Sequence, residues 1–157
     1  MLNFVVGVIT SIVAAPLIWL GAKVVWPHVA DRLLYKGIRI EGVWEIHEIR
    51  QDSLRHIGEL TLRQTGSRVS GSGRRFLTRE GRPCDRRFSY MGRIAGEQVT
   101  LLFDDKQDRD FDSGTYVFRV SNNCIDMAGM ATFHGKPENR IVSEQRFLKK
   151  TASSVPS

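Results

Sequence analysis

The chain has 157 residues, of which 41% are hydrophobic and 25% charged, with a net charge of +6. Beyond an apolar N-terminus this length allows one globular domain and not two. The two cysteines, Cys84 and Cys124, are too sparse and too far apart for a disulfide framework or a metal-ligand spacing, and they read as free thiols in a reducing compartment.

Residues 1–26 read as a transmembrane helix. Residues 1–22 carry no charged side chain and residues 2–25 are apolar almost throughout, and a bilayer core needs about 20 apolar residues of helix. A signal peptide would place positive charge ahead of the apolar run, where only the α-amino group stands. Ala14-Ala15-Pro16 is no cleavage site either, because the run continues through Leu17, Ile18, Trp19 and Leu20. Pro16 removes one backbone donor and predicts a kink that membrane spans tolerate. Small residues (Gly7, Ala14, Ala15, Gly21, Ala22) let such helices approach closely, and Gly7 and Gly21 are the expected association points. Lys23, Arg32, Lys36 and Arg39 all follow the span, which predicts a single pass with the N-terminus outside and the rest of the chain in the cytoplasm. Trp26 suits the headgroup level.

Residues 27–37 carry the punctuation of a short helical connector: Pro27 in the first turn, Val29, Leu33 and Leu34 at helical spacing, and Gly37 at the end. The periodicity then switches to alternation. Segments 43–50, 58–64, 68–77, 86–95, 98–104, 114–121, 124–134 and 141–149 each read as strands, separated by clusters of Gly, Ser, Asn, Asp or Pro. About eight consecutive strands with short turns and no helix between them predict an all-β, up-and-down antiparallel barrel over residues 38–150, in which closure removes the exposed edges. Residues 151–157 form a small polar tail, expected to be disordered.

Alternation points Trp44, Ile46, Leu60, Leu62, Phe88, Tyr90, Ile94, Val99, Leu101, Phe103, Tyr116, Phe118 and Val120 inward, with Glu45, His47, Arg63, Ser89 and Arg119 outward. Arginines opposite the apolar faces exclude an outer-membrane barrel, whose outside must be lipophilic.

The charge is concentrated. Between Arg55 and Arg93 ten arginines face three carboxylates, a surplus of seven that leaves about −1 for the remainder. A solvated face is the default for such a run. Attraction to an anionic leaflet, worth about 1 kcal/mol per basic residue near the surface, is a second reading. The third is a phosphate-bearing ligand, with Arg74, Arg75, Arg86 or Arg87 on the phosphates and Trp44 or Tyr90 stacking a base. Long nucleic acid fits poorly, because the acidic loop 104–112 would repel a polyanion. That loop also resembles the start of a calcium loop, but its glycine falls late and Arg119 stands where the bidentate Glu belongs. His28, His47, His56 and His134 are scattered, and no nucleophile, metal or phosphate-loop motif occurs. The expectation is a non-enzyme with no catalytic residues, no metal and no cofactor.

Gly42-Val43-Trp44 resembles the Gly-x-Trp opening of lipocalin-type barrels. Together with the run from Leu60 to Gly71 and the N-terminal span, the chain resembles the membrane-anchored, β-strand-rich effectors associated with bacterial cyclic-nucleotide synthases in the anti-phage systems called CBASS. The family commonly has two spans where this chain has room for one. The resemblance implies a barrel that binds a cyclic di- or oligonucleotide and controls helix-driven homo-oligomerisation and disruption of the inner membrane; in related systems the nucleotide restrains the effector instead. The expected ligand contacts, Trp44, Arg74, Arg75, Arg86, Arg87, Tyr90 and Tyr116, come from the residues themselves. Membrane lipids are the other expected partner. The competing expectation is a membrane-tethered, lipocalin-like carrier whose cavity is lined by Trp44, Leu62, Phe88, Tyr116 and Phe118, and a third is an anchor that recruits a partner.

Overall fold

The computed structural model describes Trp19, Lys23 and residues 35–50, 53–106, 113–135 and 139–151. The chain divides into two compact units, residues 1–36 and 37–157. Of the expected membrane span only Trp19 and Lys23 are described; both have helical backbone, and the Lys23 ammonium stands 4.6 Å from the Trp19 ring centroid. Gly7, Gly21 and the rest of the span lie outside the described residues, as do all but the last three residues of the connector, which are irregular. Among the described residues no helix is long and apolar enough to cross a membrane.

The second unit is the barrel that the alternation predicts. Eight strands, β1 (Gly42–Arg50), β2 (Ser53–Thr65), β3 (Arg68–Leu77), β4 (Pro83–Ala95), β5 (Gln98–Asp105), β6 (Ser113–Val120), β7 (Asp126–Gly135) and β8 (Arg140–Lys150), pair antiparallel in sequence order and close on themselves. The turns explain the order. Two-residue connections at Gly66-Ser67 and Gly96-Glu97 place glycine at φ +58° and +61°, the backbone a tight hairpin needs at its first turn position.

All thirteen side chains expected to point inward are buried, and Ile40, Ile57, Val69, Met127, Ala131 and Leu148 join them in one core. Burial of each large apolar side chain stabilises the fold by about 1.5–3 kcal/mol. Two glycines make room for the aromatic layer. A methyl at Gly73 would meet the Tyr90 ring at 2.9 Å, and one at Gly114 would strike the Phe103 ring.

The two ends of the barrel differ. At the end where the chain begins, Ile40 plugs the lumen. The Trp44 indole donates to the Ile40 carbonyl at 2.8 Å, the Ile40 amide donates to Gln64 Oε1 at 2.8 Å, and Gln64 Nε2 donates to the Ile38 carbonyl at 2.9 Å. This end is sealed. At the other end the closing ladder is short: β1 and β8 pair from Trp44–Lys150 to Glu48–Arg146 and no further, although β1 runs on to Arg50 and β8 begins at Arg140. A notch opens there between the first and last strands.

Candidate functional site

Strand alternation forces adjacent residues onto opposite faces, and this separates the expected arginines. Arg75 and Arg86 continue the inward phases of β3 and β4 and are direct partners across that ladder; Arg74 and Arg87 are partners on the outside. Arg74 is held by Asp85, Nε to Oδ1 at 2.7 Å, a hydrogen bond that raises the guanidinium and lowers the Asp85 carboxyl below the usual carboxylate range. Trp44 is fully buried near the sealed end, where no ligand reaches its ring. Tyr90 and Tyr116 stack within the lumen with centroids 5.9 Å apart. Of the seven expected ligand contacts, Arg75, Arg86, Tyr90 and Tyr116 therefore face the interior together, and Trp44, Arg74 and Arg87 do not join them.

The open end is built from residues on six strands and the β3–β4 loop. Glu48 on β1 and Arg146 on β8 are charged residues buried in the barrel, 5% and 3% exposed. Arg146 Nη2 lies 3.5 Å from Glu48 Oε2 and also pairs with Glu144. Arg75 Nη2 lies 3.9 Å from the same Glu48 oxygen, beyond hydrogen-bond reach, while its Nε donates to the Leu77 carbonyl at 2.9 Å. Arg86 pairs with the buried carboxylate of Asp105 and stands 5.4 Å over the Phe88 ring. The β3–β4 loop crosses above them: Arg79 pairs with Glu144 on β8, Arg50 donates to the Arg79 carbonyl, and Arg55 donates to the Gly81 carbonyl at 3.1 Å. Five arginines, Arg50, Arg75, Arg79, Arg86 and Arg146, thus meet three carboxylates at one rim. Glu48 Oε1 and Arg75 Nη2 are buried there without a hydrogen-bond partner.

Two spaces adjoin this cluster. Below it, a lumen cavity of ≈ 40 Å³ is lined by Arg75 and Arg146 above and by Tyr90, Phe103, Tyr116 and Phe133 around. It admits water. It is far smaller than the 300–1,000 Å³ of typical small-molecule sites, so neither an apolar cargo nor a nucleotide fits inside. At the β1–β8 notch, a cleft of ≈ 450 Å³ is lined by Glu48, Ile49, Arg50, Arg79, Glu144, Gln145 and Arg146. That volume falls within the small-molecule range.

A broader groove of ≈ 1030 Å³ runs over β1, the start of β2, β6, β7 and β8, with Ile49, Leu54 and Phe147 among Glu45, His47, Arg119, Asp126 and Lys149. Its basic residues do not converge: Arg119 is held by Glu97 at 3.0 Å, and Glu45 and Asp126 would repel an anion. On this face His47 and His56, scattered in sequence, meet in a tilted ring contact with centroids 5.1 Å apart, and His47 Nε2 lies 3.1 Å from Glu45 Oε2. Among the described residues no group of three or more His, Cys, Asp or Glu could hold a metal ion. Burial raises the Cys84 thiol despite Arg75 and Arg86 nearby, which keeps it protonated and unreactive at neutral pH.

Sequence reasoning missed Glu48, Asp105, Glu144 and Arg146. A signal existed, since Glu48 continues the inward phase of Trp44 and Ile46, and Arg146 that of Leu148. Compared with known protein families and with curated proteins, the chain matches none.

Proposed function

We propose that the chain is a membrane-anchored effector whose barrel binds a cyclic di- or oligonucleotide at the open rim, and that the bound nucleotide controls self-association of N-terminal helices and disruption of the inner membrane in anti-phage defence. The observation that carries the proposal is the gathering of Arg50, Arg75, Arg79, Arg86 and Arg146 at the one end of the barrel that is not sealed. Guanidinium groups match phosphate oxygens in geometry and charge. The ligand lies in the notch and across the rim, because the lumen has no room for it. The barrel acts by binding and not by catalysis, with no cofactor, and a long polyanion is not its ligand.

Self-association finds support on the outer wall, where Met91 stands opposite Leu102 and Val117 opposite Met130, all exposed. Exposed apolar pairs on neighbouring strands offer a surface that a second barrel would cover. The tethered-carrier reading requires an interior chamber, and a lumen cavity of ≈ 40 Å³ weighs against it.

The test is isothermal titration of the full chain in detergent with a panel of cyclic di- and trinucleotides. Micromolar binding of at least one, lost in the Arg75→Ala/Arg86→Ala double variant, is the expected result. Absence of binding across the panel overturns the proposal.

A further inference from the structure

We infer that the cleft between β1 and β8 reads a guanine base, and that Glu48 is the residue that reads it. The inference rests on the nucleotide reading above and adds the base. Glu48 lines the cleft with its side chain 6% exposed, and its Oε1 has no hydrogen-bond partner. A buried carboxylate oxygen left unpaired is costly, and native structures resolve such groups with a ligand, an ion or water.

The surroundings define the ligand. Oε2 of the same carboxylate faces Arg146 at 3.5 Å and Arg75 at 3.9 Å, ion pairs that orient the group without a hydrogen bond, so both oxygens keep lone pairs for a donor. A cation is a poor candidate, since Arg50, Arg79 and Arg146 line the same cleft. The ligand must therefore present an N–H to Glu48 and negative charge to the arginines around it.

Among nucleobases only guanine offers two adjacent donors, N1–H and the exocyclic N2 amine, which match the two oxygens of a carboxylate. Adenine sets the N1 lone pair beside its one amine, and uracil flanks its single N–H with carbonyls. Either would press an acceptor against Glu48. A site that hydrogen-bonds one edge rejects analogues lacking it far more strongly than an apolar pocket rejects a missing methyl group. The ≈ 450 Å³ of the notch suits one nucleotide unit, with the remainder of the ring crossing the rim toward Arg75 and Arg86.

The experiment compares cyclic di-GMP with cyclic di-AMP on the full chain in detergent, by calorimetry, for the natural protein and for Glu48→Gln. The natural protein is expected to bind the guanine ring at least about 10-fold more tightly, and Glu48→Gln to lose that preference while still binding a cyclic dinucleotide. Equal or tighter binding of the adenine ring overturns the base assignment and leaves the nucleotide reading standing; so does an unchanged preference in a Glu48→Gln chain that unfolds at the natural temperature. If Glu48→Gln does not fold, the comparison of the two rings on the natural protein decides alone. Failure of both rings to bind at millimolar concentration removes the guanine assignment and, with the wider panel, the reading beneath it.

Discussion

Arg75 and Arg86 stand directly across the β3–β4 ladder from one another on the inner face of the barrel, two like charges in a position that normally destabilises a sheet. Each is compensated from a different strand: Arg86 by Asp105 on β5 and Arg75, at longer range, by Glu48 on β1. The Asp105 side chain is only 2% exposed. Asp105→Asn keeps the shape and removes the charge, leaving both guanidiniums opposed. We expect a loss of about 2–3 kcal/mol, below the cost of breaking a fully buried pair because Arg86 is partly solvated. Urea unfolding with an unchanged m-value measures it.

Arg146 has no such solvent access. Replacing it by Met leaves the buried Glu48 carboxylate with Arg75, at 3.9 Å, as its one remaining cation, with an expected cost of about 3 kcal/mol. Adding Glu48→Leu should recover most of it, since an apolar pair of similar volume is often as stable as a buried ion pair. Measured beside Glu48→Leu alone, a double variant whose cost is the sum of the two single costs shows that the two side chains are not energetically coupled.

The strands were legible because apolar residues two apart make a wall, and 44, 46 on β1 or 99, 101, 103 on β5 do so without interruption. The division of the arginine doublets was legible too, in principle, since Arg74 and Arg75, or Arg86 and Arg87, cannot share a face of a strand. What alternation does not reveal is which strands close the barrel and in what register. That Glu48 meets Arg146 depends on β1 pairing with β8, nearly a hundred residues away in the chain. That Arg79 reaches Glu144 depends on a loop folding across the mouth. The predicted strand 43–50 contains Glu48, but only apolar residues mark an inward face in one dimension, and the apolar phase of that strand stops at Ile46, which hid Glu48.

Trp44 fastens the sealed end through its indole, and Phe keeps most of the apolar bulk while deleting the donor to the Ile40 carbonyl. The loss combines a buried hydrogen bond with a small void, about 2 kcal/mol together. Amide exchange at Ile40 should accelerate more than exchange in β3 or β4. Uniform acceleration would mean that the plug is not a separate local unit.

Leu102 and Met91 form an exposed cross-strand pair on the outer wall. Leu102→Lys removes no buried contact, so unfolding should shift by no more than about 0.5 kcal/mol. If the barrel's wall takes part in self-association, sedimentation of the detergent-solubilised chain will show smaller oligomers. An unchanged distribution assigns association to other surfaces.

Tyr90 carries a pH prediction whose sign is fixed by burial. Desolvation pushes its phenol well above the ordinary value of 10, with the Tyr116 charge and the hydrogen bond to Tyr116 adding to the shift. Because the folded value is raised, the unfolded chain ionises first, so the stability from a neutral Tyr90 is present in full below about pH 10 and is lost as the pH climbs beyond it. Tyr90→Phe removes the ionisable group but keeps the ring against Phe88, Phe103 and Tyr116. Unfolding free energies measured from pH 8 to 11 should fall steeply at the upper end for the natural chain and less steeply for the variant. Absorbance near 295 nm should show one phenol that ionises only as the barrel opens, and this delayed phase should be missing in Tyr90→Phe. Parallel slopes for the two chains would mean that water reaches the Tyr90 oxygen in the folded barrel, and with it the small cavity between the tyrosines and Arg75.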